Sequence, residues 1–316
     1  MRMPPSPVFC KAFLALLAFT FTRSMTRADW LQTDNTLAWR VGTDLLWQFS
    51  FDTNKGKPFF HPIRTAGNPP LTNFKPADHP WHYGLWFSWK YINHVNYWEE
   101  DRTTGHAEGK TRWDKPVIKL HKDGNADIEL HLAYINPSNR VDLTETRRLT
   151  IGSPSEDGHF VIFWTSLFKA GPEGAILDRT PMPNEPNGQV NGGYAGLGLR
   201  MAGPPLEMSV LCNTGAVTRF DHDRARPNAD SVAFNFTDGA RQPVGGIAIF
   251  GYPGAAGEHG PWYIVNSAQM RFVCAAILAP GIRTLAPGAE MDLHYNIIIQ
   301  PQPWTTDLLN KYRVGW

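Results

Sequence analysis

Alternation of apolar and polar residues is the dominant pattern along the chain. Trp47, Phe49 and Phe51 alternate with polar residues, and residues 128–134 and 291–299 repeat this pattern over longer runs. Successive side chains of a strand point to opposite faces, so a period of two predicts strands with one buried face. Further strand-like runs lie at residues 141–149, 160–168, 231–236, 246–250 and 272–278.

The run 160–168 is apolar at consecutive positions, which predicts a central strand buried on both faces. Gly and Pro clusters separate the runs, and many strands divided by turn signals predict an all-β antiparallel sandwich or barrel. Helical periodicity is almost absent. The one short helix predicted covers residues 306–312, with Thr305 or Thr306 as its cap.

No repeat or low-complexity linker divides the chain, so we predict a single domain over residues 29–316. The polar segment 178–196 is too long for a simple turn. Long loops on β scaffolds often carry function. This segment is therefore a candidate part of the site.

Residues 1–28 have the pattern of a secretory signal peptide. Arg2 and Lys11 give a positive start, residues 12–21 form a short apolar run, and Ala28 ends a small-x-small cleavage site. This run is shorter than a bilayer-spanning helix needs, and no later run is long enough. The sequence predicts a periplasmic or secreted protein without a membrane span.

The charge balance argues against a nucleic-acid partner. The chain has 30 Lys and Arg against 29 Asp and Glu, and removal of residues 1–28 takes away basic residues but no acids. Nucleic-acid binding normally needs a clustered basic surface. Cys212 and Cys274 remain after cleavage, either as a disulfide or as two buried thiols. No oligomeric state is predicted.

The densest collection of reactive side chains lies at residues 78–100, DHPWHYGLWFSWKYINHVNYWEE. Acids, imidazoles and indoles in one short run are typical of a ligand cleft rather than a core. Pro80 and Gly84 favour a bent loop that brings His79 and His82 together. Asp78 could fix the tautomer of a neighbouring histidine that acts as an acid or base. The alternative is that these histidines only hydrogen-bond the backbone.

Glu99 and Glu100 form a second candidate pair, with His106 close behind. Adjacent residues of a strand point to opposite faces, so at most one of the two acids enters a cleft. A buried carboxylate suits acid–base catalysis. An exposed acidic turn is the alternative.

Three further stretches contain candidate ligand-binding residues. Arg147 shares a strand face with Glu145, so it either forms a buried ion pair or points into a concave surface. Tyr194 and Arg200 lie in the Gly-rich stretch 192–200, and His259 precedes an aromatic pair. No HExxH, CxxC pair or G-x-S-x-G occurs, and we assign no cofactor and no metal.

Together these residues resemble a bacterial family of exported proteins of unassigned function, sometimes labelled "methane oxygenase PmoA". The matching stretches are DHPWHYGLW (78–86), WEE (98–100), GGYAGLGLR (192–200) and GIAIF (246–250), followed by His259 and Trp262. The family pattern has a second His and an Arg where this chain has Trp81 and Tyr83, which counts against a His-rich metal site. A membrane methane oxygenase subunit needs apolar spanning helices, which the sequence lacks.

The resemblance implies a large β-sandwich of the supersandwich, galactose-mutarotase-like type, and a sugar-related role. We expect a carbohydrate-active enzyme whose acid–base residues are drawn from His79, His82, Glu99 and Glu100. Its carbohydrate ligand is expected to contact Asp78, Trp81, Trp86, Trp98, His106, Arg147, Tyr194, Arg200 and His259. The alternatives are a non-catalytic sugar-binding module and a metal-dependent oxidase with His79, His82 and His106 as ligands.

Overall fold

The computed structural model describes residues 28–252 and 260–314. The predicted signal peptide, up to residue 27, and the candidate His259 lie outside the described residues. Within the described part, no helix has the length and apolar character needed to cross a membrane.

The strands of the described residues form three antiparallel sheets. The first, nine-stranded sheet has the order β1 (Ala28–Gln32), β2 (Thr36–Val41), β3 (Asp44–Ser50), β4 (Phe59–Ile63), β5 (Leu85–Ser88), β14 (Gly196–Arg200), β21 (Arg271–Ala275), β20 (Trp262–Asn266) and β17 (Arg224–Ala225). Short turns join β1 to β2, β2 to β3 and β20 to β21. The connections from β4 to β5, β5 to β14, β14 to β21 and β17 to β20 are long, and the last three pass through strands of other sheets.

The second, ten-stranded sheet has the order β16 (Gly215–Ala216), β15 (Glu207–Cys212), β18 (Ser231–Thr237), β19 (Pro243–Tyr252), β23 (Glu290–Gln300), β12 (Phe160–Ala170), β11 (Val141–Ile151), β10 (Ala126–Ile135) and β8 (Lys110–Trp113), with β9 (Val117–Leu120) also beside β10. A small four-stranded sheet contains β22 (Arg283–Leu285), β13 (Ala175–Asp178), β6 (Tyr91–Ile92) and β7 (Val95–Asn96). The helix α1 covers Thr306–Val314.

The main core lies between the two large sheets. Phe60 of the first sheet meets Trp164 of the second at a ring-centroid distance of 6.3 Å, and Phe87 meets Phe168 at 5.3 Å. One continuous cluster of buried residues joins the inner faces of both sheets. The predicted all-β antiparallel sandwich with little helix is therefore confirmed.

The expectation for residues 160–168 is wrong in one respect. Phe160, Ile162, Trp164, Ser166 and Phe168 are buried, but the residues that alternate with them are only half-buried. One face of β12 packs into the core. On the other face Val161 packs against the cluster beside α1, while the remaining positions stay partly open. A single covered face produces the ordinary alternation of an antiparallel sheet.

The predicted helix is confirmed, and the N–H of Leu308 donates to the hydroxyl of Thr305 at 3.1 Å, so Thr305 is its cap. Cys212 and Cys274 are both buried free thiols. Burial raises the pKa of the Cys274 thiol. Of the two alternatives for the cysteines, the structure shows the unpaired one.

The outer face of the nine-stranded sheet carries a second aromatic cluster. Along β5, Leu85 and Phe87 point into the main core while Trp86 points outward, and Phe272 of β21 joins Trp86 there. Gly198 lies beneath this cluster, where an added Cβ would stand 3.0 Å from the Trp86 ring. The absence of a side chain at residue 198 lets the indole lie flat on the sheet. This outer cluster is the base of the candidate site.

Candidate functional site

The chain bends sharply at residues 75–84. The N–H of Lys75 donates to the carbonyl of His82 at 2.8 Å, and the N–H of His82 donates to the carbonyl of His79 at 3.0 Å. The two imidazole rings consequently stack with centroids 4.7 Å apart. The bent loop predicted from Pro80 and Gly84 is confirmed.

A chain of hydrogen bonds runs from Arg200 through Asp78 to His79. One terminal nitrogen of Arg200 donates to both Asp78 oxygens, at 3.0 and 2.8 Å, and Nδ1 of His79 lies 2.8 Å from Oδ2 of Asp78. Burial alone would raise the pKa of Asp78, but the bonds from His79 and Arg200 lower it below its usual value. A charged Asp78 holds the proton on Nδ1, so the neutral ring of His79 has its lone pair on Nε2.

His82 is buried, with only 3% of its surface exposed. It stacks on Phe272 at 4.7 Å, and a terminal nitrogen of Arg200 lies 3.5 Å from its Nδ1. Burial, with the charges of His79 and Arg200, lowers the pKa of His82 well below its ordinary value. The ring is therefore neutral, and a donor facing Nδ1 places its proton on Nε2. His82 is suited to donate a hydrogen bond rather than to accept a proton.

Asn96 fixes the turn of the chain that precedes the two adjacent acids. Its side-chain oxygen accepts the N–H groups of Trp98 at 2.8 Å and Glu99 at 3.2 Å, which turns the chain at this point. Glu99 lines the pocket described below, whereas Glu100 lies in a buried cluster of charges.

Glu99 is a fixed carboxylate. It pairs with Lys90, accepts the Asn96 side chain at 2.8 Å and accepts the Tyr194 hydroxyl. Burial would raise the pKa of Glu99, but Lys90 and these hydrogen bonds lower it. Burial and Glu99 together raise the pKa of Tyr194 well above its usual value, so the phenol keeps its proton and donates it. Glu99 stays negatively charged.

Glu100 lies between two lysines in a buried cluster of charges. It lies 3.2 Å from Lys57 and 3.3 Å from Lys75, and it accepts the Tyr83 hydroxyl at 2.6 Å. Glu100 is buried and does not line the pocket. Burial lowers the pKa of Lys57 even though Glu100 opposes that shift. The sequence offered Glu100 as a catalytic candidate, and the structure places it in this ion cluster.

These side chains meet at a pocket of about 210 Å³. Six sequence candidates line it, namely His79, Trp81, His82, Trp98, Glu99 and Tyr194. The other lining residues are Asn191, Arg224, Tyr263, Met270 and Phe272, which are not among the sequence candidates. Asn191 lies in the segment 178–196, and Tyr263 belongs to the aromatic pair that follows His259. The sequence pattern places Phe272 only in a strand, and nothing near Met270 indicates a site.

The remaining candidates lie around or away from the pocket. Trp86 is fully buried beneath His82, with ring centroids 5.0 Å apart, and supports it from below. His106 is exposed on a loop and does not line the pocket. Arg147 forms a bidentate ion pair with Glu145, at 2.7 and 2.9 Å, inside the inter-sheet core. This is the buried pair that the sequence left open as the alternative to ligand binding.

The three-histidine metal hypothesis does not fit this arrangement. His79 and His82 lie together, but His106 is on the exposed loop. Across residues 28–252 and 260–314, no three His, Cys, Asp or Glu side chains are grouped in a way that could hold a metal ion.

The sequence model of a family of unknown function (DUF6807) matches residues 36–313. No curated protein matches the chain. Among solved structures, the alpha-galactosidase from Lactobacillus brevis has a TM-score of 0.44 at 11% identity, over 86% of this chain and 39% of the galactosidase. The Slr1438 protein from Synechocystis sp. PCC 6803 has a TM-score of 0.38 at 10% identity, over 90% of this chain and 99% of Slr1438. Likenesses this distant do not bear on function.

Proposed function

We propose that this chain, which belongs to the family of unknown function DUF6807, acts on a sugar or glycoside by acid–base chemistry in the pocket beside His79. The observation that carries the proposal is the chain from Arg200 through Asp78 to His79, which ends at the surface of an aromatic-lined pocket. A carboxylate that orients an imidazole is a recurrent arrangement for proton transfer.

The walls of the pocket favour a polyol. The half-buried Trp81 offers a flat ring that can pack against the C–H face of a sugar, and the almost fully buried Trp98 and Tyr263 also line the pocket. Glu99 offers a fixed anion that can accept hydrogen bonds from hydroxyl groups. An apolar ligand would leave this charged group without a new partner on desolvation, which is unfavourable.

The environment assigns different roles to the polar residues. His79 takes or gives the proton through Nε2, and Asp78 holds its ring. His82 donates from Nε2 to a substrate oxygen, because its lowered pKa keeps it neutral. Glu99 binds hydroxyl groups and stabilises positive charge, since its lowered pKa makes it a poor proton donor. Among the described lining residues Glu99 is the one carboxylate, so this set differs from the two-carboxylate pair of most glycosidases.

A non-catalytic sugar-binding module is the second candidate. Glu99 favours it, because a carboxylate held by Lys90, Asn96 and Tyr194 is arranged for binding rather than for proton exchange. Such a module needs the aromatic walls but not the Asp78–His79 pair.

We also propose that the protein is exported and that cleavage follows Ala28, on the basis of the charged start and short apolar run at residues 1–28. Mass spectrometry of protein from the periplasm or medium of an expressing bacterium should show a new N-terminus at Asp29. Recovery of only the uncleaved chain from the cytoplasm would contradict export.

The function itself is tested by incubating the purified mature protein with a panel of oligosaccharides and keto glycosides. Product masses separate hydrolysis from elimination, and parallel reactions with EDTA show whether a metal takes part. We expect at least one product. A ligand-induced rise in melting temperature without any product would favour the binding module.

A further inference from the structure

A second pocket lies directly beside the first. Its volume is about 230 Å³, and it is lined by Met182, Gly192, Gly193, Arg226, Asn228 and Trp262 among others. Tyr263 lines both pockets. The segment 178–196 also lines both, with Gly192 and Gly193 at the second pocket and Asn191 and Tyr194 at the first. The two pockets are therefore neighbours that share the almost fully buried Tyr263 side chain.

The size of the two pockets indicates a ligand with more than one unit. Sites for small organic ligands usually measure about 300–1,000 Å³. Each pocket alone, at about 210 and 230 Å³, falls below that range, whereas the two together reach it. A ligand that fills both places one unit against His79 and the next unit beyond Tyr263.

The second pocket contains a half-buried cation, Arg226, that makes no ion pair with the described residues, although the charge of Asp221 favours its protonated form. One terminal nitrogen of Arg226 donates to the carbonyls of Val190 at 3.0 Å and Gly192 at 2.8 Å, and its guanidinium lies 4.7 Å over the Tyr263 ring. Among the described residues that line this pocket there is no carboxylate. Burial, together with neighbouring Arg224, lowers the pKa of Arg226.

Arg224, which contacts the hydroxyl of Tyr263, is also a half-buried cation. Its Nε donates to the Tyr263 hydroxyl at 3.1 Å and a terminal nitrogen donates to the His222 carbonyl, but in the described part of the chain it makes no ion pair. Asn228 adds an amide whose side chain makes no hydrogen bond within residues 28–252 and 260–314. Partly buried cations normally have an anionic partner. A ligand that brings an anion would supply one.

The two pockets also differ in charge. Among the described lining residues, the first pocket combines one carboxylate, Glu99, with the cation Arg224, whereas the second contains Arg226 and no carboxylate. An acidic group is therefore favoured more in the second pocket, because it meets no like charge there.

We propose that the second pocket is a subsite for the neighbouring unit of an acidic saccharide, whose carboxylate or sulfate group is bound by Arg226 and Asn228. This proposal rests on the proposed function, because it takes the first pocket as the sugar site. It defines the substrate class as a saccharide with an anionic group one unit away from the position of the reaction.

The test compares calorimetric affinities for three disaccharides that differ only at one unit, which is a uronate, a sulfated sugar or the neutral sugar. We expect the better acidic disaccharide to bind roughly tenfold to a hundredfold more tightly than the neutral one, as for one charge-assisted hydrogen bond. The comparison of uronate with sulfate identifies the anion. Arg226→Gln should remove the preference for the acidic disaccharide.

Two further variants test whether Arg226→Gln acts through its charge or through its hydrogen bonds to the loop at Val190 and Gly192. Asn228→Asp places a carboxylate in the same pocket while Arg226 keeps its bonds to Val190 and Gly192, and it should also remove the preference. Arg219→Gln removes an equal charge from an exposed position and should behave as wild type.

Equal affinity of the wild type for acidic and neutral disaccharides would overturn the subsite proposal, as would a preference that survives in both Arg226→Gln and Asn228→Asp. Turnover of neutral sugars in that case would leave the proposed function standing. Failure of every disaccharide to bind would contradict both proposals.

Discussion

Two buried arginines of this chain have opposite surroundings. Arg147 lies between the sheets, and its partner Glu145 is completely buried and also accepts the hydroxyls of Tyr134 and Ser166. Arg200 lies on the outer face of the nine-stranded sheet, and its partner Asp78 has a side chain that is 34% exposed. The hydrogen bonds around Arg147 and Glu145 all lie within the core. Those of Arg200 and Asp78 continue to the surface of a pocket.

The comparison shows what distinguishes a structural ion pair from part of a site. Both arginines sit on strands and both are almost inaccessible. The hydrogen bonds of Glu145 end inside the core, whereas those of Asp78 lead on to His79, which faces a cavity. The hydrogen bond from Asp78 to a histidine that lines the pocket, rather than burial or charge, is what indicates function.

Asp78→Asn should have the largest effect. Loss of the carboxylate that holds the His79 tautomer should reduce turnover by about 10²- to 10⁴-fold, the usual contribution of acid–base catalysis. Asp127→Asn is the matched control, because Asp127 pairs with His121 at 2.7 Å far from the pocket. Initial rates for both variants measure the difference. Equal losses of turnover would contradict a catalytic role for the Asp78–His79 pair.

Arg147→Met should act on stability rather than on chemistry. It leaves Glu145 buried without its cation, which costs about 3–5 kcal/mol of the free energy of unfolding. Adding Glu145→Gln should recover much of that loss, since no buried charge then remains. Urea denaturation of both variants measures the effect. A stable Arg147→Met protein that has lost ligand affinity would instead make Arg147 a binding residue.

Glu99→Gln and Glu100→Gln should separate in the same way. Glu100→Gln leaves the buried Lys57 with a weaker partner and should lower stability by about 1.5–3 kcal/mol, as for a lost charged hydrogen bond. Glu99→Gln should lower stability as well, because it leaves the buried Lys90 with a weaker partner, but it should also weaken sugar binding, which Glu100→Gln should not. Melting curves and binding isotherms of the two variants, side by side, test this difference. Equal loss of sugar affinity in both would contradict it.

Acid should lower the free energy of unfolding through His82 and His61, whose pKa values are lowered in the folded protein. The pKa of His82 is lowered in the folded state, so below pH 6.5 the unfolded chain takes up a proton that the folded chain refuses. Stability therefore falls as the pH drops from about 6.5 to 5, by up to about 1.4 kcal/mol per pH unit for this histidine. His61, whose pKa burial lowers to about 4, adds a similar slope. His82→Gln should remove about half of the total slope, and an unchanged slope would contradict the assignment.

The sequence predicted the strands well because alternation records which face is buried. It could not show that residues 75–84 and 178–196 both lie on the outer face of the nine-stranded sheet. Arg147 and Arg200 look alike in the sequence, since a strand pattern does not distinguish a closed core from a covered outer face. Arg224 and Met270 join the site only because β17 and β21 flank β20 in space.

The central claim is that His79 transfers the proton, and His79→Gln tests it most directly. Turnover and the ligand-induced shift in melting temperature should be measured on one substrate, with His106→Gln on the neighbouring exposed loop as control. We predict that His79→Gln loses turnover by about 10²- to 10⁴-fold but keeps the ligand-induced shift, while His106→Gln resembles the wild type. A His79→Gln protein that turns over substrate at the wild-type rate would contradict the account.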